Sequence, residues 1–420
     1  MAVVRWSTAI RFWVIRRIFR TLGMIIIAIV FWVCLSVMFY CYIGYGLLLL
    51  AWNFLKISLR SRPETVESEE KEWPRVTMVI AAYNEAAVLQ QKLENTLALD
   101  YPSEKLQIIF VTDGSTDGSE RLLANVQGVE VSHEGKREGK LAAINRIMRN
   151  VQTPYVVFSD ANSFLNKESI KRIILRYQDP RVGGVAGEKK IARSQHPSTI
   201  GEAEGLYWQY ESFMKKQDAD LNTVVGAAGE LFSIRTDLFE PPDQSFILDD
   251  FIISMQICLK GYQIDYEPGA FATEFPSVSL QEEAKRKIRI AAGAYQTIGY
   301  LKDCLNPIKF PLLSFQYYSR RLLRWVFCPL LLIAVLVLNI VLSINEPGHS
   351  FYTGFLAFQL FFYGMGLLGW IQANSGRSMG ILGVPFYFLF MNICLVKGFI
   401  RYIKKDQNVL WEKSLREFTR

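Results

Sequence analysis

Two kinds of hydrophobic pattern alternate along this chain. Uncharged runs stand near both ends, and short β-branched runs separated by helix-period stretches fill the middle. Residues 22–55 contain no charged side chain. A helix needs about 20 apolar residues to cross a bilayer, so this run predicts one long or tilted span. It is too long for a signal-peptide core and has no evident small-residue cleavage site. Residues 1–21 carry Arg5, Arg11, Arg16, Arg17 and Arg20 among Trp, Ile and Phe, the pattern of an amphipathic interfacial segment. Residues 56–73, with Pro63 and four glutamates from Glu64 to Glu70, read as a linker. Three further uncharged runs, 325–345, 351–371 and 378–396, predict about three C-terminal membrane segments within 325–400. Interfacial helices over 301–324 precede them, and a basic tail over 401–420 follows.

Between these ends, residues 74–300 read as globular. Runs at 76–82, 107–112, 129–132 and 155–159 predict strands, and the stretches 85–97, 119–126, 140–148 and 167–177 predict helices. Strand and helix alternating at this spacing imply an α/β unit: a mostly parallel sheet with helices on both faces. In such a sheet ligands bind beyond the carboxyl ends of the strands, so the residues there carry the functional information.

Composition sharpens this picture. Half the residues are hydrophobic and the formal net charge is +7. The Arg and Lys gather beside the apolar runs, which suits membrane lipids and topology signals and points away from nucleic acid. Arg320, Arg321 and Arg324 predict a cytoplasmic globular domain on the plasma membrane. Three full C-terminal spans would then leave the basic tail outside, so either one segment is re-entrant or interfacial, or the count differs. Six scattered cysteines without a CxxC pair, and three distant histidines, argue against a disulfide framework, a zinc site or a His-based triad.

The strand ends are rich in chemistry. Tyr83 and Glu85 follow the first strand and could bracket a base and its ribose, or serve as a loop and helix cap. Asp113 follows the second, in VTDGSTDGSE, where it could accept a hydrogen bond from a base edge or belong to a turn. Lys140 opens a helix after Gly139, and helix N-termini favour phosphate. Asp160 and Asn162 follow a later strand, and two oxygen ligands at i and i+2 can hold a divalent cation against a diphosphate; an Asx-turn is the alternative. Asp249 and Asp250 open another helix. They could favour its dipole, or one could take the proton of a sugar hydroxyl as a general base. The basic stretch from Lys285 to Arg289 could clamp a diphosphate or lie on the membrane.

In their order and spacing these motifs resemble the inverting family 2 glycosyltransferases with a GT-A fold. The membrane-integrated branch of cellulose, hyaluronan and poly-N-acetylglucosamine synthases is the most similar. The resemblance spans residues 74–300 with hydrophobic flanks arranged as in that branch. It implies a hexosyltransferase that uses a nucleotide-diphosphate sugar, UDP-linked by family habit, with Mg²⁺ or Mn²⁺. Tyr83, Glu85 and Asp113 would then hold the nucleoside, with Lys140 and Arg289 as phosphate contacts. Asp160 and Asn162 match the metal motif. The Gly226–Glu230 stretch, through Gly229 and Glu230, matches the acceptor loop with Asp249, and Asp250 matches the catalytic base. Two departures stand out: Asn162 replaces the second acid of DxD, and only Arg289 remains of the QxxRW motif. The implied acceptor is a growing polysaccharide or a lipid-linked glycan, with room for an export or accessory subunit. A non-catalytic nucleotide-sugar-binding membrane protein is the alternative from another class.

Overall fold

The structure, a computed structural model, describes residues 2–59, 72–124, 126–192, 199–346 and 348–406. Most of the expected linker at 56–73 and of the tail at 401–420 lies outside the described residues. The chain opens with α1 (Ala2–Phe39), a short π-helical turn (Tyr40–Gly44) and α2 (Tyr45–Leu59). No break falls at residue 21: helix runs through the expected border between interfacial segment and span.

The globular unit then follows as β1 (Val76–Ala82), α3 (Ala86–Leu97), β2 (Leu106–Asp113), α4 (Ser119–Leu123), β3 (Val129–Glu134) and α5 (Lys140–Met148). Next come β4 (Tyr155–Asp160), β5 (Ser163–Leu165), α6 (Ser169–Arg176), β6 (Val182–Ile191) and α7 (Thr199–Leu221). It closes with β7 (Phe232–Arg235), α8 (Asp249–Leu259), β8 (Gln263–Glu274) and α9 (Leu280–Tyr300).

The strands form one eight-stranded sheet in the order β3-β2-β1-β4-β7-β6-β8-β5. The first four neighbours are parallel, as the β-branched runs predict. Beyond β4 the sheet is mixed: β7 runs antiparallel to both β4 and β6, and β5 antiparallel to β8. β1 is buried along its whole length, as a strand covered on both faces must be. Its alternate residues feed two cores. Val79 joins Val111, Phe158 and the α5 and α8 side chains, while Met78 and Ile80 join Leu89, Phe110 and Ile173 on the other face. Register brings Ala81 opposite Asp160 and Ala82 opposite Thr112, so three strand ends open on one edge.

The C-terminal part consists of α10 (Pro311–Tyr317), α11 (Cys328–Asn345), α12 (Ser350–Asn374) and α13 (Gly383–Ile403). A π-helical stretch, Tyr318–Phe327, joins α10 to α11 without a break. Part of the region read as interfacial therefore belongs to a helix that continues into the bilayer segment. Four described stretches are long and apolar enough to cross a membrane: Arg16–Lys56, Pro311–Asn345, Ser350–Asn374 and Gly380–Ile403. Large apolar side chains such as Ile29, Phe54, Ile333, Phe361 and Ile400 point outward from them. A lipid surround explains that exposure, and the protein is a membrane protein.

Membrane helices and globular unit pack as one body. α2 lies on α7, where Tyr45 donates to Asp218 Oδ1 at 2.6 Å. α13 lies along α9, so closely that a Cβ at Gly398 would come 2.4 Å from Ala291 Cβ. Arg320 and Arg324 of the π stretch reach Glu211 of α7 at 2.8 and 2.6 Å, and Arg320 also meets Asp218 at 3.1 Å. Two of the three arginines read as a topology signal, Arg320 and Arg324, thus dock the membrane helix through ion pairs.

Candidate active site

Lys140, Asp160, Asn162, Gly229, Glu230, Asp249, Asp250 and Arg289 line one cavity of about 310 Å³. Each arrives by a different route. Asp160 ends β4, and Asn162 follows in the turn to β5. Lys140 opens α5 after Gly139, whose φ of 103° is available to glycine without strain. Asp249 and Asp250 are the first two residues of α8. Lys140 Nζ lies 2.8 Å from Asp160 Oδ1 and 3.1 Å from Asp249 Oδ2. A Cβ built on Gly229 would meet Lys140 Nζ at 3.1 Å, Asp250 Oδ2 at 3.3 Å and Asp160 Oδ2 at 3.7 Å. Asp160, Asp250 and the lysine therefore converge on Gly229, where a side chain would fill the space, and Asp249 joins them through Lys140.

Electrostatics separates their roles. Burial, with the charge of Asp249 beside it, pushes the Asp250 carboxyl up to about 7, against the pull of Lys140. Burial opposes the charge on Lys140, yet Asp160, Asp249 and Asp250 together raise its pKa above the usual lysine value. A carboxyl poised near neutrality beside a site of proton transfer is what general-base chemistry requires.

Tyr83, Glu85 and Asp113 do not line this cavity; they form a neighbouring group at the ends of β1 and β2. The Arg137 guanidinium lies over the Tyr83 ring at 3.9 Å. Both carboxylate oxygens of Asp113 accept backbone N–H groups, from Glu138 at 2.9 Å and Gly139 at 2.6 Å. Asp113 thus anchors the loop that delivers Lys140. Glu85 is buried at the start of α3, where its carbonyl accepts from Val88 and Leu89. Asn84, at a φ of 52°, ties the loops together by accepting from the Thr116 N–H at 2.8 Å.

Several site residues carried no readable signal. Fully buried Lys92 of α3 donates to Ser159 Oγ at 2.9 Å and to the Ser163 carbonyl, bracketing the Asp160–Asn162 turn from behind. Burial pushes its pKa down to about 7, although Asp160 and Glu274 oppose that. Ser163 donates to Glu274 at 2.8 Å, Glu274 pairs with Lys189 at 2.7 Å, and Lys189 pairs with Glu230. A buried polar chain therefore joins the Asp160 turn to the loop that carries Gly229 and Glu230. Arg286 and Lys287, read as a clamp or a membrane face, are ion-paired with Glu204 and Glu283. From the membrane side, Trp325, Met391, Cys394 and Leu395 complete the cavity wall, and Tyr207 and Trp208 of α7 face them. The missed residues come from distant elements, and only the helix periods of α7 and α13 could have marked their inward faces.

A cleft of converging carboxylates thus lies at the strand ends of this sheet, walled by membrane helices. The sequence model described as Glycosyl transferase family 2 matches residues 77–241. The poly-beta-1,6-N-acetyl-D-glucosamine synthase of Staphylococcus aureus (strain COL) is 27% identical over 294 residues, 66% of this chain and 68% of that protein. The enzyme of the same name from Staphylococcus epidermidis is 24% identical over 315 residues, 71% of this chain and 74% of that one. Among solved structures, a mannosyltransferase from Pyrobaculum calidifontis in complex with GDP-Man and Mn²⁺ superposes with a TM-score of 0.65 at 19% identity. It covers 89% of this chain and 99% of that chain, and it supports the fold. Residues 77–241 thus carry the likeness to family 2, and the chain is a glycosyltransferase, an enzyme that moves a glycosyl group from a nucleotide sugar to a glycan acceptor.

Proposed function

We propose that the enzyme transfers a hexose or N-acetylhexosamine from a UDP-sugar, with inversion, to a growing β-linked glycan at the cytoplasmic face of the plasma membrane. The single observation behind this reading is the convergence of Lys140, Asp160 and Asp250 on Gly229, with Asp249 paired to the same lysine. The relatives that make poly-beta-1,6-N-acetyl-D-glucosamine favour UDP-linked N-acetylglucosamine as the first donor to try.

Among the described residues no group of three or more His, Cys, Asp or Glu side chains forms a ready-made metal cage. The donor set still fits a hard cation. Asp160 supplies a carboxylate and Asn162 an amide oxygen on one rim, and the acids around them already hold one cation, the Lys140 ammonium. Mg²⁺ or Mn²⁺ takes few protein oxygens and completes its shell with phosphates and water. Bound by Asp160 and Asn162, such an ion would neutralise the departing diphosphate.

The chain's own residues do the rest. Tyr83, Glu85 and Asp113 hold the nucleoside, with the Arg137–Tyr83 stack as its platform. Lys140 and Arg289 face the phosphates. Asp250 takes the proton from the acceptor hydroxyl as the bond to the anomeric carbon forms. Asp249 supports Asp250 in the charged neighbourhood of Lys140, and Gly229 and Glu230 hold the acceptor loop. Orientation and charge stabilisation supply most of the acceleration.

A second reading, one sugar added to a lipid-linked acceptor, draws support from the apolar wall of Met391, Cys394 and Leu395 beside the acids. The test for both uses the purified full chain with UDP-sugars and labelled product. Cation-dependent UDP release with long polymer supports the first reading, and a single chloroform-soluble addition supports the second. Binding without release from any UDP-sugar overturns both.

A further inference from the structure

Lys140 stands between two kinds of partner. Its ammonium is held by Asp160 at 2.8 Å and Asp249 at 3.1 Å, with the Asp250 carboxylate across Gly229. The side chain is mostly enclosed, and the charge of the three acids raises its pKa. Asp160 is also the carboxylate assigned above to the divalent cation. One oxygen-bearing group therefore faces two cations, one tethered and one free. The tether is firm, because both oxygens of Asp113 grip the Glu138 and Gly139 N–H groups just before Lys140. The ammonium cannot leave far; it can only turn about its own side-chain bonds.

We propose that Lys140 competes with the divalent cation for Asp160, and that the donor diphosphate settles the competition by drawing the ammonium to itself. The proposal rests on the cation reading given above and adds an order to it. Free cation meets a carboxylate already neutralised by lysine and binds poorly. A nucleoside diphosphate offers the ammonium phosphate oxygens at the helix start, which favours anions. Asp160 is then released to the cation, and nucleotide and cation bind with strong mutual dependence, as linkage demands of two ligands that share a switch.

The experiment is Mn²⁺ uptake by the detergent-solubilised full chain, read from the free-ion EPR signal, with and without UDP. Wild type takes up Mn²⁺ at least tenfold more tightly with UDP than without it. Lys140→Met binds Mn²⁺ alone at least tenfold more tightly than wild type alone, and UDP improves it little. Lys140→Gln keeps a polar head without the charge and tightens Mn²⁺ uptake in the same direction, which carries the test should Lys140→Met fail to fold. Unchanged or weaker Mn²⁺ uptake in these variants, with UDP-dependent uptake intact in wild type, overturns the competition alone. No uptake by wild type even with UDP overturns the cation reading itself.

Discussion

At the residue scale the site turns on which carboxylate can lose a proton when needed. Asp249 and Asp250 are adjacent in sequence yet differently placed: Asp249 pairs with Lys140, while Asp250 has its pKa raised to about 7 by burial and by Asp249. For an acid the base form exists above its pKa. Transfer is therefore expected to rise with pH through about 7 and to fall roughly tenfold per pH unit well below it, measured as kcat at saturating donor. Asp250→Asn is expected to lower transfer by at least a thousandfold while UDP affinity stays within a few-fold by calorimetry. The same substitution bears on stability. A carboxyl with a folded pKa above its unfolded value binds more protons when folded, so its charged form weakens the fold as pH rises through that window. Asp250→Asn should then melt a few degrees higher than wild type at pH 8 and by the same temperature at pH 4. Equal melting at pH 8 would show that the carboxyl is not forced up by its surroundings.

At the scale of elements the acceptor loop is the most constrained piece, and two glycines in it fail differently when filled. Gly226 sits at a φ of 86°, and a Cβ there would come 2.1 Å from the Phe251 ring. Gly226→Ala must move Phe251 of α8, at a cost on the order of 2–3 kcal/mol, so lower expression and a lower melting temperature are expected. Gly229 has no such backbone demand; the nearest atoms its Cβ would meet belong to Lys140, Asp250 and Asp160. Gly229→Ala should melt within about two degrees of wild type yet lose most of its kcat, and normal turnover would show that the sugar does not pass there. The same contrast explains what the sequence made legible. The strands β1 to β4 and the helix α5 announced themselves by continuous apolar runs and a preceding glycine, so Asp160 and Lys140 could be named at strand and helix ends. β5, β6, β7 and β8 were not read. β5 and β7 are short, and β6 mixes Gly183, Gly184 and Gly187 with buried Lys189, a pattern without strand periodicity. Their buried charges are satisfied only across the sheet, by Glu230 and Glu274, which no local window contains. Lys92 escaped notice for the same reason, since its partners, Ser159 and Ser163, lie on other elements.

At the scale of the whole molecule the catalytic cleft and the membrane helices depend on each other through α7. Glu211 of that helix is buried, and although burial opposes its charge, Arg320 and Arg324 hold its carboxyl well below the usual range. The same π stretch that presents these arginines carries Arg321, which donates to the Val225 carbonyl at the base of the acceptor loop, and Trp325, which lines the cavity. π-Helical stretches recur at functional sites. This one carries three arginines that reach the globular unit. Glu211→Gln leaves two buried guanidinium groups without their shared carboxylate, and breaking a buried pair in this way costs about 3–5 kcal/mol. The expected outcome is a melting temperature in detergent lower by several degrees, together with a larger loss of transfer than of UDP binding. Under the proposed reading the nucleoside contacts lie at the ends of β1 and β2, whereas the wall displaced by the substitution lies on the acceptor side. Combining Glu211→Met, Arg320→Met and Arg324→Met should recover part of the melting temperature, because apolar side chains of similar volume replace those charges while Asp218 keeps the Tyr45 hydroxyl and the Gln316 amide as partners. It should recover less of the activity, because the acceptor wall would still lack the position that the arginines impose. A triple variant that regains both in equal measure would mean that the ion pairs only hold the helix down, and that the membrane wall has no part in placing the acceptor.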